Sequence, residues 1–196
     1  MAKYLRYILR KDFHDITYMN MPENASGLPV LLMPNHFSWW DGFIFYDYNK
    51  RFLGKDFYLM MLEEELSKRM FFSKVGAFSI KKNSRKVIES LNYTRELLSD
   101  KNNIVTVFPQ GKIHSLYADN NEMESGILHL ISSLKNDVLL LQAVVLPDYF
   151  SNRKPTLHIY FREKMLRVGE IDIKEIQEEY QNFYKQCREE QGAKTC

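Results

Sequence analysis

Residues 138–146 read V-L-L-L-Q-A-V-V-L, eight apolar side chains around the single polar Gln142. A run of this kind fits a strand buried on both faces, and such strands belong to parallel sheets covered by helices. It falls well short of the roughly 20 residues a bilayer span requires. Working outward, residues 29–33 predict a strand ended by Pro34, and residues 57–62, 77–80 and 104–108 predict three more. The last of these is closed by Pro109 and Gly111. Downstream, residues 156–161 predict a further strand. Helical patterns fall between them, over residues 41–49, 63–72, 84–99, 124–134 and 172–190. The clearest is 84–99, where Val87, Leu91, Thr94 and Leu98 share one face and Asn83 or Ser84 is placed to cap. This alternation predicts an α/β fold: a single domain with a mostly parallel sheet flanked by helices.

Composition narrows the function classes. The chain has 196 residues, 45% hydrophobic and 27% charged, a balance that supports one folded core. A formal charge of +2 is too small for a general nucleic-acid binder, so no nucleic-acid partner is expected. The two cysteines, Cys187 and Cys196, form no disulfide framework, and no His or Cys cluster has metal spacing. The final four residues do not match a prenylation box. The first eleven residues, M-A-K-Y-L-R-Y-I-L-R-K, mix aromatic and aliphatic side chains with four cations and lack the apolar region of a signal peptide.

Ligand sites in open α/β sheets gather at the carboxyl ends of strands. Three such ends carry unusual residues. The first is N-H-F-S-W-W-D, residues 35–41. A His acting as a base needs a partner on one ring nitrogen, and Asp41 is the candidate partner for His36. A five-residue offset is about 140° apart on an ideal helix. The two therefore meet only if His36 sits on the turn and Asp41 on the first helical turn. The second is residues 68–86, with seven basic residues and no acidic one. There Lys81 and Lys82 stand just before a helix N-terminus, where backbone N–H groups favour an anion. The third is F-P-Q-G-K-I-H-S, residues 108–115. Pro109 and Gly111 force a tight turn that exposes backbone amides, and Lys112 and His114 add donors. Taken singly, each also reads as ordinary structure: a surface His beside an acidic cap, a solvated basic face, and a strand-to-loop turn.

Together the three blocks resemble the glycerophospholipid acyltransferases, the 1-acylglycerol-3-phosphate acyltransferase group. Their N-H-x-x-x-x-D motif is matched by Asn35, His36 and Asp41. Their Gly followed six residues later by Arg is G-A-F-S-I-K-K here, with Lys82 in place of Arg. Their F-P-E-G-T-R-S is matched at Phe108, Pro109 and Gly111, with Gln110 in place of Glu and Lys112-Ile113 in place of Thr-Arg. A fourth, V-P-V-like block should fall at residues 141–143, where its Pro is missing. The resemblance covers about residues 29–165, with His36 standing 72 residues before Phe108.

The resemblance implies an O-acyltransferase that moves a fatty acyl group from a thioester donor, acyl-CoA or acyl-ACP, to a lipid hydroxyl. No cofactor is implied beyond that co-substrate. It implies His36 as general base, Asp41 as its orienting partner, and an acceptor site built from Lys81, Lys82, Phe108, Pro109, Gln110, Gly111, Lys112 and His114. The default acceptor is a lysophosphatidate, with a non-phosphorylated lipid or pigment hydroxyl as the second choice. A non-catalytic lipid-binding relative is the reading from another class. The partners implied are the lipid acceptor, the acyl donor (with acyl carrier protein if it is the donor) and a membrane surface. The chain is expected to be cytoplasmic and peripheral on the inner face of the membrane, with contact through residues 1–28 and the basic stretch 68–86.

Overall fold

The computed structural model describes residues 2–23, 25, 27–80, 86–118 and 122–195. Its centre is β6 (Val138–Asp148), whose first nine residues are all buried. Beside it lies β2 (Val30–Pro34), also buried throughout, in parallel register with Leu31 opposite Leu140 and Met33 opposite Gln142. The sheet extends from β2 through β5 (Asn103–Thr106) and β3 (Asp56–Leu62) to β4 (Ala77–Ile80), all parallel. On the other side β7 (Thr156–Leu166) returns antiparallel to β6, and β1 (Asp15–Met19) forms the edge parallel to β7. The described residues thus form one seven-stranded, mostly parallel sheet in the order β1-β7-β6-β2-β5-β3-β4.

Alternation along the strands divides the core, because successive side chains point to opposite faces. Val30, Leu32, Leu141 and Ala143 face one layer, where they meet Phe43, Ile44 and Phe45 of α2 (Asp41–Tyr48) and Leu5 and Leu9 of α1 (Ala2–Asp12). Leu31, Met33, Leu140 and Val105 face the other. There they meet α4 (Lys86–Leu97), α5 (Ser125–Ser132) and α6 (Ile173–Gly192). Helix α6 is capped by Asp172, whose side chain accepts from the Lys174 and Glu175 amides.

Several boundaries differ from the sequence expectation. The helix expected over 63–72 stops early: α3 (Glu63–Lys68) gives way at Arg69, which has a non-helical backbone, and a 3₁₀ segment, Met70–Val75, follows. Gly76 then turns the chain at φ 90°, and a Cβ there would fall 1.9 Å from the Phe57 carbonyl oxygen. The chain must pass that close to enter β4 beside β3, so the helix cannot run on. Strand β7 continues past residue 161 to Leu166 because the long β6 offers partners up to Val138. The strand expected to end at Phe108 ends at Thr106, although the Val107 amide still bonds the Leu32 carbonyl at 2.9 Å. The proposed caps Asn83 and Ser84 lie outside the described residues. Residues 1–28 are part of the fold itself: α1 sends Leu5 and Leu9 into the core, and β1 closes the sheet edge.

Candidate active site

Strand β2 delivers the first site residues. As the main chain leaves the sheet, the Asn35 side chain takes over its ladder: its Oδ1 accepts the Val145 amide at 2.7 Å and its Nδ2 donates to the Val145 carbonyl at 3.2 Å. A buried amide used in this way satisfies the backbone groups that the departing chain would orphan. His36 therefore starts from a fixed point, although the sequence marks Asn35 only as a motif letter.

The His36 Nδ1 lies 2.7 Å from Asp41 Oδ2. The offset is resolved because His36 sits on the extended turn while Asp41 is the first residue of α2. The same Oδ2 accepts the Phe37 and Ser38 amides, each at 3.0 Å. The Asp41 side chain is fully buried and that of His36 is 22% exposed. Burial pushes the Asp41 carboxyl above the ordinary carboxylate range, while the His36 ring and the Ser38 and Phe37 amides pull against it. With Nδ1 turned to a carboxylate, the ring carries its proton there and leaves Nε2 as the acceptor.

The F-P-Q-G turn supports the imidazole from the other side. Phe108 stacks on the His36 ring at 4.1 Å between centroids, 16° from parallel. The Gln110 side-chain oxygen accepts the His36 amide at 2.6 Å. The His114 amide donates to the His36 carbonyl at 3.0 Å. Two loops far apart in sequence thus clamp one residue through ring, amide and carbonyl.

A cavity of about 570 Å³ opens beside His36. Much of its wall is apolar, from Leu59 and Met60 of β3, Phe72, Ile80, and Val87 and Leu91 of α4. Its polar wall includes His36, Ser38, Lys112 and Glu124. Glu124 lies outside every motif. Its place follows from Gly111, which sits at φ 65° with the Glu124 side chain 2.7 Å from where a Cβ would be. The Glu124 amide bonds the Pro109 carbonyl at 2.8 Å, tying the start of α5 to the turn. Arg69 also lines the cavity, in an ion pair with Glu65.

Of the candidate site residues, His36, Phe108, Gly111 and Lys112 line the cavity together, with Asp41 buried behind His36. Pro109 and Gln110 are buried behind the turn and not in the cavity wall. His114 joins His36 through its backbone and is not among the residues that line the cavity. Lys81 and Lys82 lie outside the described residues. The Gly111 amide is spent within the turn, on the Phe108 carbonyl at 3.0 Å, so it is withdrawn from the exposed donors expected there.

A family model described as Acyltransferase matches residues 15–151, more than half of the chain. Among solved structures, the 1-acyl-sn-glycerophosphate (LPA) acyltransferase PlsC from Thermotoga maritima is similar with a TM-score of 0.68. The match covers 100% of this chain and 79% of that one at 13% identity, a likeness of fold. No curated protein matches the chain in sequence.

Proposed function

The chain belongs to the acyltransferase family, and from that premise we propose that it transfers a fatty acyl group from a thioester to a lipid hydroxyl, with His36 as the general base. The observation that carries this reading is the 2.7 Å contact from His36 Nδ1 to the buried Asp41, beside a largely apolar cavity. In the proposed reaction the neutral His36 ring takes the acceptor hydroxyl proton at Nε2 as the oxygen attacks the thioester carbonyl. Asp41 holds the tautomer and stabilises the imidazolium that forms. The tetrahedral oxyanion then collapses, the carbon–sulfur bond breaks, and the imidazolium returns its proton to the departing thiolate. No nucleophile on the protein is required. The Lys112 amide, which donates to no acceptor among the described residues, is the donor we assign to the oxyanion.

The apolar wall suits a fatty acyl chain, since it keeps methylene groups out of water at about 0.8 kcal/mol each. The donor is an acyl-CoA or an acyl-ACP. The default acceptor is the lysophosphatidate class for which the Thermotoga maritima protein is named. Its phosphate would rest against Lys82, with Lys81, Lys112 or His114 assisting. A non-phosphorylated lipid or pigment hydroxyl is the second acceptor class. No helix among the described residues is long and apolar enough to cross a membrane. We assign the chain a peripheral place on the cytoplasmic face of the membrane, where such lipids are met.

A panel of lysolipid and hydroxy-lipid acceptors with isotopically labelled acyl-CoA and acyl-ACP, read by mass spectrometry, tests this. A labelled ester from one acceptor class supports the reading and names the acceptor. Binding of lipids with no ester formed from any thioester would overturn it in favour of a non-catalytic lipid binder.

A further inference from the structure

The aromatic rings beside the cavity form a continuous series. Phe13, just beyond α1, meets Trp40 edge-on at 5.6 Å, and Trp40 meets Trp39 at 4.5 Å. Trp39 meets Phe43 at 5.5 Å, and Phe43 stacks on Phe71 at 5.7 Å. Phe13 and Phe43 belong to the core, but the outer members reach solvent: Trp39 is 44% exposed, Phe71 43% and the adjoining Met70 65%. Trp39 also lines the cavity, as does Phe72, on which Phe71 stacks. The cavity wall therefore runs out to the surface as an apolar edge.

The segments that supply Phe13 and Phe71 also carry cations. Helix α1 presents Lys3, Arg6, Arg10 and Lys11 against the one carboxylate of Asp12. Arg6 is held by Asp47 at 3.1 Å, but Lys3, Arg10 and Lys11 make no ion pair among the described residues, and neither does Lys74 beyond Phe71. Lys68 and Arg69 are offset by Glu65. Tyr4 and Tyr7 stand exposed between the cations of α1.

We propose that Trp39, Met70 and Phe71 insert into the interface of a bilayer containing anionic lipid, with the α1 cations and Lys74 on its headgroups. This rests on the acyl-transfer reading above and names the surface that serves it. Aromatic and methionine side chains beside unpaired cations match the two layers of such an interface, apolar below and anionic above. Continuity with the cavity wall favours a lipid surface over a protein partner: an acyl chain could pass from the bilayer to the cavity without crossing water.

The chain's two tryptophans are Trp39 and Trp40, so tryptophan emission, excited at wavelengths that spare tyrosine, reports on this edge alone. The test uses vesicles of phosphatidylcholine with phosphatidylglycerol whose acyl chains carry bromine, a short-range quencher. Quenching of the wild-type emission is expected, together with partitioning about tenfold weaker for Met70→Glu, which removes one inserted apolar side chain. Met70 lies outside the cavity wall, so Met70→Glu should still acylate a detergent-dispersed acceptor at the wild-type rate. Vesicle binding without quenching would mean that charge alone holds the protein, and would overturn the proposal. So would unchanged partitioning of Met70→Glu, or no binding at low salt. Absence of acyl transfer in detergent, with quenching intact, would instead overturn the acyl-transfer reading and leave the docking surface standing.

Discussion

The side chain of Gln110 accepts the backbone N–H of His36 at 2.6 Å, joining two loops 74 positions apart. An acidic side chain at position 110, as in the motif this turn resembles, could accept the same bond, so the exchange of Glu for Gln keeps the clamp and drops a charge. In the proposed mechanism Gln110 is a positioning residue, acting on His36 through the main chain. Gln110→Leu leaves the His36 amide unsatisfied, at a cost of about 1–3 kcal/mol. We expect kcat to fall by at least about tenfold, with acceptor KM changed less. Gln110→Glu should restore most of the turnover. Equal activity in the Leu and Gln forms would show that the clamp does not position the base.

Asp41→Asn separates activity from stability. Turnover should fall by about four orders of magnitude, as when the orienting carboxylate is lost from Ser-His-Asp enzymes. Stability should move the other way. Because burial raises the Asp41 carboxyl, the native state binds more protons than the unfolded state in the interval between the ordinary carboxylate range and the raised value. Stability therefore falls as pH rises through that interval, and the loss is complete above it. A neutral Asn escapes the loss, so thermal melting at pH 7 should match or exceed wild type, and melting curves from pH 4 to 8 give the check.

His158 gives a pH dependence of opposite sign. Burial, with Lys194 nearby, lowers its pKa from 6.5, against the weaker pull of Asp148 and Asp15. Below pH 6.5 the unfolded chain takes up a proton that the native site resists, so this part of the stability is lost as pH falls through that value. Melting temperature should drop from pH 7 to pH 5, and the drop should be smaller in His158→Gln. A variant with an unchanged slope would assign the acid sensitivity elsewhere.

Gly76 and Gly126 should respond differently to alanine. At Gly76 the φ is 90° and the added Cβ would fall 1.9 Å from the Phe57 carbonyl oxygen, so Gly76→Ala should cost more than about 3 kcal/mol. Gly126 lies in α5 with nothing within 4 Å of the added atom, so Gly126→Ala should gain about 0.5–1 kcal/mol. Urea denaturation of both variants measures the contrast.

The fold was legible wherever side chains alone select the state. The run from Val138 fitted a doubly covered strand, which it forms, and the parity of Leu31, Leu32 and Met33 follows from the alternation of side chains along a strand. Events decided by distant backbone were harder to read. The break at Arg69 depends on Gly76 passing under Phe57, a contact with no local signal. The helix α1 shows Leu5 and Leu9 one turn apart with Phe13 beyond, a core-facing stripe visible only once the Tyr and cationic positions are assigned to the other face. In the site, the nearness of His36, Asp41 and the F-P-x-G turn was expected from the three motifs taken together, and the structure brings them into contact. The ladder role of Asn35 and the packing of Glu124 on Gly111 were not legible, since each is fixed by a partner on another element.

In the proposed mechanism His36 removes the proton from the attacking hydroxyl. The most direct test is single-turnover acyl transfer by His36→Ala, with circular dichroism and melting to establish that it folds, beside wild type on the acceptor and donor that the panel identifies. A folded variant with wild-type donor affinity and acyl transfer reduced to background is expected. A folded His36→Ala that transfers the acyl group at a rate near wild type would contradict that mechanism.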